Sequence, residues 1–216
     1  MKKIFFPLLL VVATFFGASA QGLRLNLYAN YTFDDGFDVY NSANDYYKGT
    51  IKGGMQVGGG LEYLAEPHYG VELLYLYKKS DAPSTFKVGN LTAAKSETFE
   101  VTHNWVMLSM NSHMRNPSKK VEGTAGLMLG MLISDVNSPS ANRSESNTHF
   151  AWGFKLAGDI WISEKIAIKL QTHILSASKA TGGDVYYGYW GPVGVTTYTT
   201  LWQYSLGGGL VYNFGK

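Results

Sequence analysis

Histidine and serine are the residue types in this sequence that could carry out hydrolytic chemistry. A nucleophile and its base must share one face of a strand to act on the same substrate atom. His173 and Ser176 are three residues apart, so a regular strand turns them to opposite faces. His103 and Ser109 share a face, but six strand residues separate them by roughly 20 Å. We therefore predict no catalytic residues and no enzyme activity, and the scattered histidines predict no metal site and no cofactor.

Charged residues form a second set with functional potential, and they recur among glycines on the polar side of alternating segments. Asp159 and Lys169 are equidistant from Glu164, so a hairpin there would set them face to face. A narrow barrel needs small residues, such as these glycines, to make room for long charged side chains. The predicted charge network of the barrel interior is Arg24, Glu62, Glu72, Glu122, Lys155, Asp159 and Lys169.

Two carboxylates of this network are expected to lie side by side. Glu62 and Glu72 are equidistant from Pro67, which marks a tight turn. Arg24 is the expected counter-charge for both, because one guanidinium can fork between two carboxylates. We interpret the network as ion pairs that fill the interior, since buried charges usually occur paired. A conduction pathway is the alternative.

Alternating segments position these residues. Between residues 23 and 33 every odd residue is apolar and most even ones are polar, which gives a strand one apolar and one polar face. Such segments of about ten residues are long enough to cross a bilayer as tilted strands. Eight of them occur, at 22–34, 51–63, 69–78, 98–112, 121–133, 148–162, 166–177 and 199–214.

The connections between the segments alternate between long and short. Short turns are expected at 66–68, 115–118 and 163–165, and polar loops at 35–50, 79–97, 134–147 and 178–198. In an up-and-down meander all long loops lie at one end. The apolar parity of the fourth segment changes, which predicts a bulge near 103–105. A soluble lipocalin-type barrel would have an apolar interior, whereas glycine and charge favour a polar one here. We predict an all-β, eight-stranded antiparallel up-and-down transmembrane β-barrel.

The sequence composition limits the cellular compartment and the binding partners that are possible for this chain. Two lysines precede an apolar stretch, and Ala18-Ser19-Ala20 supplies the cleavage pattern of a secretory signal. We predict a cleaved signal peptide at 1–20 and one barrel domain at 21–216. Without the signal the chain has 16 basic and 16 acidic residues, which argues against nucleic acid as a partner. The chain has no cysteine and therefore no disulfide.

Aromatic residues gather in the first and last long loops. Exposed aromatic side chains at this density can stack on sugars or dock a protein. The alternative is the aromatic belt that marks the headgroup level of a membrane barrel. The candidate loop-binding residues are Phe37, Tyr40, Tyr46, Tyr47, Tyr186, Tyr187, Tyr189 and Trp190.

The final segment, 204–214, is the most family-like part of the chain. It ends at Phe214 and resembles the aromatic-ended signal that the barrel-assembly machinery reads, although Gly215 and Lys216 follow here. The whole mature chain resembles the small eight-stranded outer-membrane β-barrels of Gram-negative bacteria, the outer-membrane protein A-like and X-like barrels. The resemblance implies a monomer in the cell outer membrane, surrounded by its lipids and lipopolysaccharide and inserted by the barrel-assembly machinery.

The functional expectation follows from this architecture. We predict an outer-membrane barrel with a plugged polar lumen and a structural, surface-interaction or adhesion role. Four extracellular loops would contact an extracellular glycan or protein. The alternative is a narrow, porin-like pore for ions or small solutes, and a lipid-modifying outer-membrane enzyme is a minor alternative, because some members of this architecture are enzymes.

Overall fold

The computed structural model describes residues 22–42, 45–87, 93–115, 120–140, 142–178, 185–188, 191–194 and 200–215. The predicted signal segment at 1–20 and most of the predicted turn at 115–118 lie outside the described residues. Among the residues that are described, no helix is long and apolar enough to cross a membrane.

Twelve strands make up the described part of the chain. They are β1 (Leu23–Thr32), β2 (Asp35–Ser42), β3 (Asp45–Ile51), β4 (Gly54–Glu66), β5 (Tyr69–Lys87), β6 (Lys95–Arg115), β7 (Val121–Ser138), β8 (Arg143–Trp161), β9 (Ile166–Ser178), β10 (Val185–Gly188), β11 (Gly191–Gly194) and β12 (Thr200–Asn213).

Eight of these strands close into a ring. β4 to β9 pair antiparallel in chain order, β12 follows β9, and β1 pairs with both β12 and β4. Closure satisfies the backbone hydrogen bonds on both sides of every ring strand, so no sheet edge faces lipid. The predicted eight-stranded up-and-down barrel is confirmed.

Side chains alternate between the outside and the interior of the ring. Leu27, Leu170 and Leu206 face outward and are 48%, 67% and 47% exposed. The outward apolar band is about ten residues tall along each strand, the length that a tilted strand needs to cross a bilayer. Apolar surface of this extent is unfavourable in water. The barrel is therefore a transmembrane one.

Two of the predicted loops are largely strand. β5 continues through Lys87 and β6 begins at Lys95, and β7 and β8 likewise extend to Ser138 and from Arg143. The loop predictions at 79–97 and 134–147 are therefore wrong over most of their length. Beyond the bilayer the outward face meets water and becomes polar, so the apolar alternation that marks a membrane strand disappears there. We call the parts of β5 to β8 beyond the apolar band the extension.

The predicted loops at 35–50 and 178–198 also contain strands. β2 and β3 form a hairpin, and β3 pairs with β5 from Tyr46 opposite Lys87 to Gly49 opposite Ser84. β10 and β11 form a second, two-stranded sheet. The first polar loop is therefore an ordered addition to the extension.

The predicted bulge near 103–105 is absent. β6 keeps a continuous register with β5 and with β7 across these residues. The apolar parity changes because Val101 points into the barrel together with Trp105 and Met107, whereas the later apolar residues Leu108 and Met110 face outward. Apolar residues thus occupy both faces of this strand.

Candidate functional site in the barrel interior

The interior half nearer the short turns holds the predicted charged residues. All seven side chains point into the ring and are at most 5% exposed. Asp159 lies directly opposite Lys169, as hairpin symmetry predicts, with Nζ 3.3 Å from Oδ2. The seven side chains come from six strands and meet across the lumen. We call this part of the lumen the charged layer.

Arg24 and Glu122 form the ion pair of the charged layer that lies nearest the short turns. Arg24 Nη1 lies 2.6 Å from Oε1 of Glu122, and Nη2 lies 3.3 Å from Oε2. Trp161 Nε1 also donates to Glu122, at 3.1 Å, and the guanidinium stacks 5.1 Å from the centre of the Trp161 ring. The predicted pairing of Arg24 with Glu62 and Glu72 is wrong. Arg24 reaches across the narrow lumen to β7 instead of to the adjoining strand.

Glu62 and Glu72 lie directly opposite each other, as the turn at Pro67 predicts. Lys155 is the cation that pairs with Glu72. Asn111 Nδ2 donates to both carboxylates and lies 3.2 Å from Oε2 of Glu72. Donors from β6 and β8 thus hold the two like charges side by side, which offsets their repulsion.

His113 joins the two carboxylate groups of the layer. Its Nε2 lies 2.9 Å from Oε1 of Glu62, and its Nδ1 lies 2.8 Å from Oε1 of Glu122. Sequence reasoning missed this residue, although its inward parity with Asn111 on β6 could have indicated it. His113 makes Arg24, Glu122, Glu62 and Glu72 one continuous polar network.

Above the charged layer, that is, on its long-loop side, an apolar layer fills the lumen. Trp105, Met107 and Leu175 are fully buried there, and the Tyr28 hydroxyl donates to Glu72 and so joins the two layers. The predicted polar lumen is therefore interrupted by an apolar layer, and buried polar residues such as Lys78 and Gln203 occupy the interior again on the long-loop side of that layer. The apolar layer consists of Tyr28, Leu74, Leu76, Trp105, Met107, Met128, Leu132, Ala151, Leu175 and Ala177.

Two solved structures share this architecture. Neisserial surface protein A is 12% identical, with 89% of this chain and 97% of that chain covered and a TM-score of 0.52. The outer membrane protein OprG from Pseudomonas aeruginosa is 15% identical, with 91% and 98% covered and a TM-score of 0.58. No protein-family model matches the sequence, and no curated protein matches it.

The chain has the fold of the small eight-stranded outer-membrane β-barrels. Closed barrels with an outward apolar band span the outer membranes of Gram-negative bacteria. This outer-membrane barrel therefore resides in that membrane, with its long connections at one end and its short turns at the other.

Glycines make room for both interior layers of the outer-membrane barrel. A Cβ at Gly126 would lie 2.9 Å from Cε of Lys155, and a Cβ at Gly153 would lie 2.8 Å from Cδ2 of Leu175. At Gly60 it would collide with the carboxylate of Glu72. These positions need a residue without a side chain because an interior group already occupies the space.

We expect Gly126→Val to destabilise the barrel by about 1–3 kcal/mol, because the added carbons overpack the charged layer. Urea unfolding in lipid vesicles measures the change. Gly123→Val is the matched control on the same strand, since nothing lies within 4 Å of a Cβ there. Equal stability of the two variants would contradict the role of glycine described above.

The aromatic loop candidates are spread over both hairpins of the long-loop end. Phe37 in β2 and Tyr46 in β3 are half-buried, and the Phe37 ring lies over Gly49. For four other candidates the structure describes only the backbone, which lies in strands: Tyr40, Tyr47, Tyr186 and Tyr187. The last two, Tyr189 and Trp190, lie outside the described residues.

An aromatic belt also exists on the outer surface of the barrel. Phe33 stacks on Tyr204 at 5.3 Å between ring centres, and Trp152 meets Trp202 edge-on at 5.5 Å. Both pairs lie near the long-loop end of the apolar band, where aromatic rings mark the headgroup level. These outward rings are therefore membrane anchors.

The base of the first hairpin is held by a polar contact. The Gly53 N–H donates to Oδ1 of Asp34 at 2.7 Å, and Lys52 Nζ lies 3.1 Å from Oδ2. The backbone donor and then the ammonium hold the pKa of the Asp34 carboxyl below its usual value. This contact ties the end of β1 to the start of β4 beside the barrel mouth.

Proposed function

We propose that the protein is a closed outer-membrane barrel that acts through its extracellular side, in a structural, surface-interaction or adhesion role. The observation that carries the proposal is the filled lumen, in which an ion-paired layer lies beneath an apolar layer. An eight-stranded barrel has an interior only wide enough for side chains. Outer-membrane lipids and lipopolysaccharide surround the apolar band, and the barrel-assembly machinery inserts the chain as a monomer.

The extension supports a role in surface interaction. β5 to β8 are 18 to 21 residues long, whereas β1, β4, β9 and β12 have 10 to 14. On one side of the barrel the strands therefore extend beyond the apolar band, and the β2–β3 hairpin joins this extension through the pairing of β3 with β5. Surface elements held on a rigid scaffold are suited to binding. An extracellular glycan or protein is the ligand class that we propose.

An enzymatic role has less support. His173 faces the interior, where Nε2 lies 3.0 Å from Oε1 of Gln56, while Ser176 belongs to the opposite face of β9. Ser109 is also interior and donates to Asn111 at 2.6 Å. Neither serine therefore has a histidine as its base, which is why we propose a non-enzymatic barrel.

In a planar lipid bilayer we expect the wild-type protein to show no steady conductance. Ions would have to cross the apolar layer without their hydration shell, which is strongly unfavourable. Current recordings at low and high salt measure this. Large, steady openings would favour the pore alternative over the proposed function.

The β5–β6 part of the extension can be removed without changing the pairing of the barrel. Asp81 lies opposite Glu100, so an Asn-Gly turn can replace residues 82–99 and keep the hairpin register. We expect cells displaying the trimmed variant to lose adhesion to a glycan panel or to immobilised extracellular-matrix proteins. A variant with Ser163-Glu164-Lys165 replaced by glycines is the control at the short-turn end. Undiminished adhesion by the trimmed variant would contradict a role for the extension.

A further inference from the structure

The part of the lumen between the apolar layer and the long loops, which we call the upper lumen, contains a buried cation without a hydrogen-bond partner. Lys78 points inward from β5 and is 0% exposed. Within the described part of the chain, its Nζ makes no hydrogen bond and no ion pair. A buried ammonium without a counter-charge is strongly unfavourable. A group that compensates this charge would therefore stabilise the folded protein.

The carboxylates at the barrel mouth are engaged elsewhere. Asp34 and Asp35 are the acidic residues that act electrostatically on Lys78. Asp34 is held by the Gly53 N–H, and Asp35 accepts the backbone N–H of Trp202 at 3.1 Å. Both carboxylates act on Lys78 from a distance, and neither forms a direct ion pair with its Nζ.

Two other unpartnered donors belong to inward residues at or next to the register partners of Lys78. Gln56 and His103 are the register partners of Lys78 on the two adjoining strands, and Trp105 is the next inward residue on the strand of His103. Nε2 of Gln56 and Nε1 of Trp105 have no hydrogen-bond partner. The unsatisfied groups are thus mainly N–H donors around one positive charge.

The remaining polar groups of this layer limit what can bind. Nδ1 of His103 lies 2.8 Å from Nε2 of Gln203 and accepts its hydrogen. Oε1 of Gln203 is an unpartnered acceptor, and the Ser80 hydroxyl, also unpartnered, can donate. The three unpartnered N–H donor groups, one of them charged, outnumber the one unpartnered group that can only accept, Oε1 of Gln203. This composition favours an anion over a cation.

We propose that Lys78, Gln56 and Trp105 bind a small monovalent anion of the halide class in the upper lumen. A narrow interior excludes larger organic anions. The flexible four-carbon stem of Lys78 lets the ammonium shift to admit the ion. The bound ion neutralises the buried charge and completes the closure of the lumen above the apolar layer.

Thermal unfolding of the full mature chain in detergent tests the proposal, with bromide replacing gluconate at constant ionic strength. Above the dissociation constant, each tenfold increase in bromide should raise the wild-type midpoint by about 3–5 °C. Lys78→Met should lose this response and be at least as stable as wild type in gluconate. Lys79→Met, which changes the exposed neighbour, should keep the response. An equal response of wild type and Lys78→Met would overturn the proposal.

A crystallographic measurement decides the question even where Lys78→Met fails to fold. Crystals of the wild-type protein grown in bromide should show an anomalous peak in hydrogen-bond contact with Nζ of Lys78. A map in which water alone contacts this ammonium would overturn the anion site.

Discussion

Lys155→Met is expected to destabilise the barrel by about 3–5 kcal/mol, the usual result of removing one partner of a buried ion pair. Lys155 is the cation that pairs with Glu72, and Glu62 lies directly opposite that carboxylate. Without the ammonium, two buried carboxylates would repel each other with only neutral donors and His113 nearby. Urea unfolding and refolding in lipid vesicles measures the change in free energy.

Two further variants show whether the loss belongs to the buried pair. The double variant Lys155→Met/Glu72→Leu should be more stable than the sum of the two single effects predicts, because it leaves no uncompensated charge. Lys79→Met removes an exposed cation 3.3 Å from Glu100 and should cost less than about 1 kcal/mol. Additive losses in the double variant would contradict the pairing of Lys155 with Glu72.

Leu170→Arg is expected to destabilise the barrel by about 2–4 kcal/mol, because it places a charge on the lipid face near the bilayer midplane. Leu170 lies in the middle of the outward row of β9 and is 67% exposed to the membrane side. Unfolding titrations in lipid vesicles of one composition provide the comparison.

The matched control for this substitution is Thr98→Arg. Thr98 is exposed in the extension, beyond the apolar band, so an added charge there meets water and should change the stability by less than about 0.5 kcal/mol. Equal losses at the two positions would mean that the apolar band does not face lipid.

Local contacts of the charged layer were predictable from the sequence. The two-residue period of a strand assigns each side chain to a face, and a tight turn fixes which residues lie opposite each other. The position of Pro67 therefore predicts that Glu62 faces Glu72, and the structure has this register. The same symmetry about Glu164 predicts that Asp159 faces Lys169.

Contacts across the lumen were not predictable in this way. Arg24 pairs with Glu122, which is 98 residues away in sequence and on a strand that does not adjoin β1. His113 on β6 reaches Glu62 on β4, another strand that does not adjoin its own, for the same reason. Ring closure alone brings these side chains together, so only the tertiary arrangement decides which cation compensates which acid.

The sequence by itself determined the barrel, its number of membrane strands and its outward face, because alternation and turn residues are local signals. The tertiary structure decided what fills the interior and where the strands end. Trp105 and Met107 resemble lipid-facing residues in sequence, yet the closed ring turns them inward, where they pack against apolar side chains of other strands. The extension carries no apolar alternation because its outward face meets water instead of lipid, so pairing with neighbouring strands, which sequence does not display, determines its length.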